Sequence, residues 1–193
     1  MGPSSAPSCS GHLSAESRLI VLIGPGGVGK GTIARALADR EPTIWLSRSW
    51  TTRDVRDSER GDEYVFVSRQ AFEEAISQGR FLEWAEFHGN LYGSPVPSPG
   101  PDQRVLLEIE IQGAAQVLQR DPSATVILLE PPSMDELRAR LEARGDHPEH
   151  VQRRLDSTPG EIGVGRSIAH HVVVNDDLNR TIDQILSILD QPR

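Results

Sequence analysis

Short apolar runs alternate along the chain with stretches of helical periodicity. The apolar runs are nearly continuous in Val, Ile and Leu, which is typical of strands buried on both faces, and they predict strands at residues 19–23, 104–110, 125–129 and 171–174. The stretches that follow them predict helices at residues 30–40, 112–118, 134–144 and 178–189. This alternation predicts an α/β fold of three layers, in which a parallel sheet is flanked by helices.

The rhythm changes between Trp45 and Pro101, where the segments EYVFVS and RFLEWAEF read as short strands around a short helix in RQAFEEAISQG. These segments predict a small α+β subdomain at about residues 47–101, inserted into a core made of residues 18–46 and 102–193. Pro and Gly are dense in SPVPSPGPDQ and in STPGEIGVG, so we expect neither segment to be a regular helix throughout.

Composition and charge narrow the class of protein. The chain has 193 residues, of which 37% are hydrophobic, and this suits one compact domain with a substantial core. Its net charge of −8 has the wrong sign for a general nucleic-acid binder. Cys9 is the only cysteine and no apolar run could span a membrane, so we expect a cytoplasmic protein with no nucleic-acid or membrane partner. Residues 1–17 are rich in Ser, Pro and Gly and are expected to form a disordered tail.

A glycine-rich segment, GPGGVGKG at residues 24–31, follows the first predicted strand and begins the first predicted helix. That context favours a phosphate-binding loop over an ordinary glycine-rich turn, which is the alternative interpretation. Backbone N–H groups and the helix N-terminus would bind the anion, and Lys30 would reach the outer phosphates of a nucleotide. Gly31 stands where this motif usually has a hydroxyl, so Mg²⁺ is expected to arrive with the nucleotide, near Thr32, held mainly through water and phosphate.

Several further motifs follow the loop: SRSWTTRDVR, GDEYVF, FLEWAEF, NLYGS, LLEIEIQG and VVVNDD. Together with the loop they resemble the guanylate kinase family, whose members use ATP with Mg²⁺ to phosphorylate GMP to GDP, and the resemblance extends over residues 19–189. It implies a P-loop fold with a GMP-binding insert and a lid at about residues 140–158. It also implies ATP as the phosphoryl donor and GMP, with dGMP, as the acceptor.

The resemblance assigns residues to each substrate. Those implied for ATP are Gly24, Pro25, Gly26, Gly27, Val28, Gly29, Lys30, Gly31, Thr32 and Asn175. Those implied for GMP are Ser49, Arg53, Arg56, Tyr64, Glu83, Tyr92, Ser94, Glu108 and Glu110. The side chains implied for catalysis are Lys30, Arg140, Arg144 and Arg154.

Chemistry supports the assignment of Glu83 to the base. Guanine presents two adjacent donors, N1–H and N2–H₂, which one carboxylate can accept together, whereas adenine has an acceptor at the equivalent edge. Arg53 and Arg56 would bind the monophosphate as planar forks, assisted by the hydroxyls of Tyr64 and Tyr92. Taken singly, Glu83 could be a solvated strand residue and the two tyrosines core aromatics, but their joint occurrence favours a binding site.

Two carboxylates end a predicted central strand, and period-two alternation places Glu108 and Glu110 on the same face, at the sheet edge where α/β proteins bind ligands. The family usually has Asp in place of Glu110, which changes its contact to GMP or to hydrated Mg²⁺. Arg140 and Arg144 lie four residues apart on one helical face; surface pairing, for instance of Glu136 with Arg140, is the alternative to a catalytic role.

Asn175 ends the last predicted strand, where the family uses it near adenine and where a purely structural role is equally open. Asp177 is expected to cap the last helix. Other departures from the family are Gly26 in place of Ser, Trp50 in place of a small residue, and the two segments rich in Pro and Gly.

Two rival functions stay open, and the sequence leaves any protein partners unknown. A protein-binding module of the same shape would be expected to lack the loop lysine or the lid arginines, whereas this chain has all four. A kinase for another small phosphate acceptor would keep the loop and change the insert, against which Glu83 with Arg53 and Arg56 argues.

Overall fold

The computed structural model describes residues 18–55, 61, 64–87 and 89–191, so the predicted tail at residues 1–17 lies outside the described residues. The strands are β1 (Leu19–Ile23), β2 (Ile44–Leu46), β3 (Trp50–Thr51), β4 (Val65–Phe66), β5 (Phe81–Phe87), β6 (Asn90–Pro95), β7 (Arg104–Glu108), β8 (Thr125–Glu130) and β9 (His171–Val174). The helices are α1 (Lys30–Arg40), α2 (Arg69–Ser77), α3 (Ile111–Arg120), α4 (Met134–Ala143), α5 (Pro148–Ile168) and α6 (Leu178–Leu189).

The main sheet has five parallel strands in the order β2-β7-β1-β8-β9, with β1 at its centre. Because side chains alternate across a strand, Ile20 and Leu22 pack on one face with α1 and α6, while Val21 and Ile23 pack on the other face with α3. The prediction of a three-layer α/β fold is therefore confirmed. No helix among the described ranges is both long and apolar enough to cross a membrane.

A second sheet, of order β4-β3-β6-β5, follows β2 in the chain. It has its own apolar cluster, in which the ring of Phe72 on α2 stacks on that of Phe81 on β5 with the ring centres 4.4 Å apart. After Pro95 the chain forms no helix or strand before Arg104, as the first segment rich in Pro and Gly predicted.

The second such segment was predicted wrongly: STPGEIGVG, at residues 157–165, lies wholly within α5. Pro159 removes one backbone donor, yet Val151, Leu155 and Thr158 are buried along one face of the helix. Gly165 lets that face approach β8, because a Cβ there would lie 2.9 Å from Leu128 Cδ1. Burial of this face outweighs the local preference, which is why the residue types alone mislead.

Element ends differ from the predictions by a few residues. The strand predicted to reach Glu110 ends at Glu108, and α3 extends from Ile111 to Arg120. The N-cap of α6 is Asp177, whose side chain accepts the backbone N–H of Arg180 at 2.9 Å, so the predicted cap is confirmed.

Candidate active site

The glycine-rich loop connects β1 to α1 at the carboxyl edge of the main sheet. Three of its glycines are required by geometry, since Gly24 has a φ of 152°, Gly27 a φ of 91° and Gly29 a φ of 100°. A Cβ on Gly27 would lie 2.6 Å from Leu141 Cδ2, and one on Gly29 would lie 2.7 Å from Asn175 Nδ2. Gly29 is also the N-cap of α1, which leaves the first N–H groups of the helix for an anion.

Lys30 lies over this loop and is only 8% exposed. Its ammonium donates to the carbonyl oxygen of Gly24 at 2.7 Å, and it lies 3.5 Å from Oε1 of Glu110. Both contacts are to oxygen atoms that accept hydrogen bonds, and a phosphate oxygen could accept from the ammonium in the same way. The lysine is thus placed at the wall of the cleft and held there by acceptors that an anionic ligand can replace.

Glu108 and Glu110 both line the cleft beside Lys30, although β7 ends at Glu108 and Glu110 is the N-cap of α3, so the two do not share a strand face as the alternation predicted. Burial raises the pKa of the Glu108 carboxyl; Lys30 opposes the rise and the charge of Glu110 adds to it. The absent side chain of Gly31 leaves room for Glu108, since a Cβ there would lie 3.2 Å from its Oε2.

The second sheet and the chain beside it supply the opposite wall of the cleft. Ser49, Arg53, Tyr64 and Tyr92 line it, with the guanidinium of Arg53 5.6 Å from the ring centre of Tyr64. Burial strongly raises the pKa of the Tyr64 hydroxyl, which therefore stays protonated and able to donate a hydrogen bond. Arg56, also predicted here, lies outside the described residues.

Glu83 lies on β5 in a smaller recess that adjoins the cleft, and it is 4% exposed. Its Oε1 accepts the backbone N–H of Ser94 at 2.9 Å, and the hydroxyl oxygens of Ser94 and Ser49 lie 3.1 Å apart. Burial raises the pKa of Glu83, and the hydrogen bonds from Ser94 oppose this rise. Its burial contradicts the alternative of a solvated strand residue.

Arg140 reaches the loop from α4. Its Nη1 donates to the carbonyl of Val28 at 3.3 Å and its Nη2 to the carbonyl of Asn175 at 3.0 Å, while its Nε pairs with Glu136 at 3.1 Å. Arg140 therefore both forms the surface pair with Glu136 and lines the cleft.

Arg144 and Arg154 also line the cleft, and both contact the carboxylate of Asp146. Nε of Arg144 donates to Oδ1 at 3.1 Å, and Nε of Arg154 lies 3.7 Å from Oδ2. A Cβ on Gly26 would overlap Nη1 of Arg154, so a side chain there would require this flexible guanidinium to shift. The sequence analysis did not single out Asp146.

Some predicted ATP residues lie behind the loop instead of in the cleft lining. Asn175 is 8% exposed; its Nδ2 donates to the carbonyl of Val28 at 2.7 Å and its Oδ1 accepts from the hydroxyl of Thr181 at 3.1 Å. Val28 is fully buried, and Gly24 contributes its carbonyl to Lys30. These contacts stabilise the loop, and a contact of Asn175 with adenine stays a prediction.

Sequence reasoning missed three further cations in the cleft lining: Arg35, Arg48 and Arg153. Arg48 donates through Nη2 to the carbonyls of Gly61 at 3.0 Å and Tyr64 at 2.7 Å, which fixes the chain beside Tyr64. Arg35 follows Gly31 by four residues on α1, which places both on one face of the helix. This spacing could have predicted that Arg35 lines the cleft. No comparable signal marks the other two.

The cleft has a volume of about 1080 Å³, at the upper end of the range for ligand pockets. It lies where the loop, the second sheet and the helices α4 and α5 meet, outside the carboxyl ends of the parallel strands. The guanylate kinase family model matches residues 16–192. The chain belongs to the guanylate kinase family.

Its relatives in the guanylate kinase family match over most of their length. The chain is 43% identical over 183 residues to the guanylate kinase of Prochlorococcus marinus (strain MIT 9313), which covers 91% of this chain and 96% of that one. It is 45% identical over 179 residues to the guanylate kinase of Symbiobacterium thermophilum, and the match covers 89% of this chain and 83% of that one. A crystal structure of guanylate kinase from Anaplasma phagocytophilum matches with a TM-score of 0.73 at 33% identity, covering 90% of this chain and 85% of that one.

Membership in the guanylate kinase family decides the reaction. The protein is an ATP-dependent kinase that phosphorylates GMP. Neither rival, the protein-binding module nor the kinase for another acceptor, is favoured by these relatives.

Proposed function

We propose that ATP binds over the glycine-rich loop, that GMP binds against the second sheet, and that Glu83 selects guanine. The observation that carries the proposal is the burial of this carboxylate in a recess adjoining the loop, beside the paired hydroxyls of Ser49 and Ser94. Ser94 and the nearby charge of Arg120 offset only part of the cost of burying this carboxylate, whose pKa stays raised. The two adjacent donors of guanine would supply further hydrogen bonds to it. The serine hydroxyls are donors suited to O6 of the base.

The cations around the cleft would carry the transfer. An oxygen of the GMP phosphate is already anionic, so it can attack the γ-phosphorus of ATP without a general base, and the bond to the bridging oxygen of ADP breaks. Lys30, Arg140, Arg144 and Arg154 would neutralise the charge on the phosphoryl group, while Arg53 and Arg56 would hold the acceptor. Closure of the insert and of the lid would exclude water and so suppress hydrolysis of ATP.

The oxygen donors in the cleft fit Mg²⁺. Thr32, Glu108 and Glu110 all line it near the loop, and hydroxyl and carboxylate oxygens are the ligands this hard cation takes. We propose that these three residues hold the ion through its retained waters and the nucleotide phosphates. When bound, Mg²⁺ supplies neutralisation of phosphate charge.

Substrate selectivity tests the assignment of the recess. We expect purified protein to phosphorylate GMP and dGMP and to reject AMP and UMP by at least about 1000-fold in kcat/KM, because a site built to bond polar groups is left with unpaired groups by the wrong base. A coupled assay of ADP release with each monophosphate measures this. Equal rates with AMP and GMP would contradict the role of Glu83.

GMP affinity should depend on pH through Glu83. The carboxyl must be ionised to accept both guanine donors, and its pKa is raised by burial, so GMP binding should weaken on acidification at a higher pH than for an ordinary glutamate. Calorimetric titrations of GMP between pH 8 and pH 5 check this. The variant Glu83→Gln experiences the same titration of the GMP phosphate, so an identical pH profile in it would refute the assignment.

We propose that the protein acts in purine nucleotide metabolism without a nucleic-acid partner, in line with its net charge of −8. The cytoplasmic location stays a prediction that rests on the single cysteine.

A further inference from the structure

Gly113, the third residue of α3, has no backbone reason to be glycine. It does not belong to the glycines with positive φ, and alanine is strongly preferred to glycine within helices. The space beside it explains the choice, because a Cβ there would overlap Oε2 of Glu83 and lie 2.9 Å from its Cδ. The carboxylate of Glu83 thus occupies the volume that any other side chain at position 113 would fill.

The same face of α3 holds the strand that carries Glu83. β5 is an edge strand of the second sheet, paired with β6 on one side only. On its other side, the Gln116 side chain donates to the carbonyl of Trp84 at 2.7 Å and accepts the backbone N–H of Trp84 at 3.3 Å, as a neighbouring strand would. Arg120 donates to the carbonyl of Phe81 at 2.9 Å.

The contacts of α3 with β5 act together to position Glu83, as the spacing on α3 and the register of β5 indicate. Gly113, Gln116 and Arg120 are three and four residues apart, so they share a face of α3. The pairing of β5 with β6 shifts register between Phe81 and Glu83, and such an irregularity redirects the side chain that follows it. The backbone around Glu83 is therefore held by α3 and β6, and the space left by Gly113 accommodates its carboxylate.

We propose that Gly113 is a specificity-determining positioning residue. Because it has no Cβ, the Glu83 carboxylate can occupy the position in which it hydrogen-bonds to the base. The inference rests on the proposed role of Glu83. It explains why a helix of the main core accepts a glycine that weakens it. It also predicts that stability and selectivity respond to this residue in different directions.

The test is Gly113→Ala, with Gly163→Ala as the matched control, because Gly163 lies in α5 where a Cβ would have no neighbour within 4 Å. Thermal unfolding, ATP affinity by calorimetry, and kcat/KM for GMP and for IMP, which lacks the 2-amino group, are measured for both. We expect Gly113→Ala to keep or raise the Tm, to leave ATP affinity unchanged, to raise the KM for GMP at least about tenfold, and to lower the GMP-to-IMP preference at least about fivefold. The control should match the wild type in KM and preference.

Combination with Glu83→Gln separates this inference from the function on which it rests. If Gly113 acts through Glu83, the double variant should bind GMP about as weakly as Glu83→Gln alone. A strong loss in Glu83→Gln with an unchanged GMP-to-IMP preference in Gly113→Ala would overturn the inference and keep the function. No loss in either variant would overturn both.

A second variant covers a failure of Gly113→Ala to fold. Gln116→Ala removes the two bonds to Trp84 without adding an atom, and it should also lower the GMP-to-IMP preference while ATP affinity is kept. An unchanged preference in folded Gln116→Ala would overturn the proposal that α3 positions the carboxylate.

Discussion

Lys30→Met is expected to lower kcat by at least about 100-fold, in the range typical of losing one transition-state contact to developing charge. Lys30 is the single lysine of the protein, so no other side chain provides an ammonium group. Lys30 is held by Gly24 and Glu110 at the wall of the cleft, where we propose that it contacts the γ-phosphoryl group as charge develops. Methionine keeps most of the length of the side chain and removes the charge.

The measurement is a coupled assay at saturating ATP and GMP, with the fold of the variant checked by circular dichroism and thermal unfolding. Arg180→Met is the matched control, because it removes a cation that is 70% exposed and lies on α6, outside the cleft. The control should retain its activity. A folded Lys30→Met variant with the kcat of the wild type would contradict the assignment of the loop to ATP.

Glu83→Gln is expected to weaken GMP binding by about 30- to 1000-fold while ATP affinity stays near that of the wild type. Glutamine keeps the shape of the side chain but sets an amide donor against the two donors of guanine and removes the charged acceptor. Losing a charge-assisted pair and leaving a buried donor unpaired costs about 2 to 4 kcal/mol, which corresponds to that range of affinity.

Calorimetric titration of each nucleotide into the folded variant measures the effect. The matched control is Glu86→Gln on the same strand, because the Glu86 side chain is 57% exposed and pairs with Arg69 instead of lining the recess. Equal weakening of GMP and ATP, or of neither, would show that Glu83 does not select the base.

The same variant should not be less stable without ligand at neutral pH. Burial raises the pKa of Glu83, so the folded protein binds its proton more readily than the unfolded chain does, and the ionised carboxylate destabilises the fold above the ordinary pKa of glutamate. Glutamine carries no charge and removes that penalty. Thermal unfolding of the variant with a higher Tm and weaker GMP binding would mark a residue kept for function and not for stability.

Much of the fold and of the candidate site could be predicted from the residues. The apolar runs determined the parallel strands, because strands buried on both faces leave little room for polar residues, and β1 and β9 have the predicted ends. The glycine loop with Lys30 was recognisable because its chemistry is local: the glycines, the lysine and the helix start are adjacent in the chain.

Tertiary structure decided what depends on packing between distant segments. The sequence alone left Glu83 open to solvent or to a site, and only the closure of β5 against α3 buries it. The segment at residues 157–165 is helical because one face of α5 packs on the core, against the local preference of Pro159.

The same limit applies to the contacts of the cleft. Arg154 lies against Gly26 of the loop, and Gly113 receives the carboxylate of Glu83, through space that no spacing in the sequence describes. Local patterns encode which residue types a strand, helix or loop requires. The volume left between elements, and the charges that burial brings together, exist only once the chain has folded.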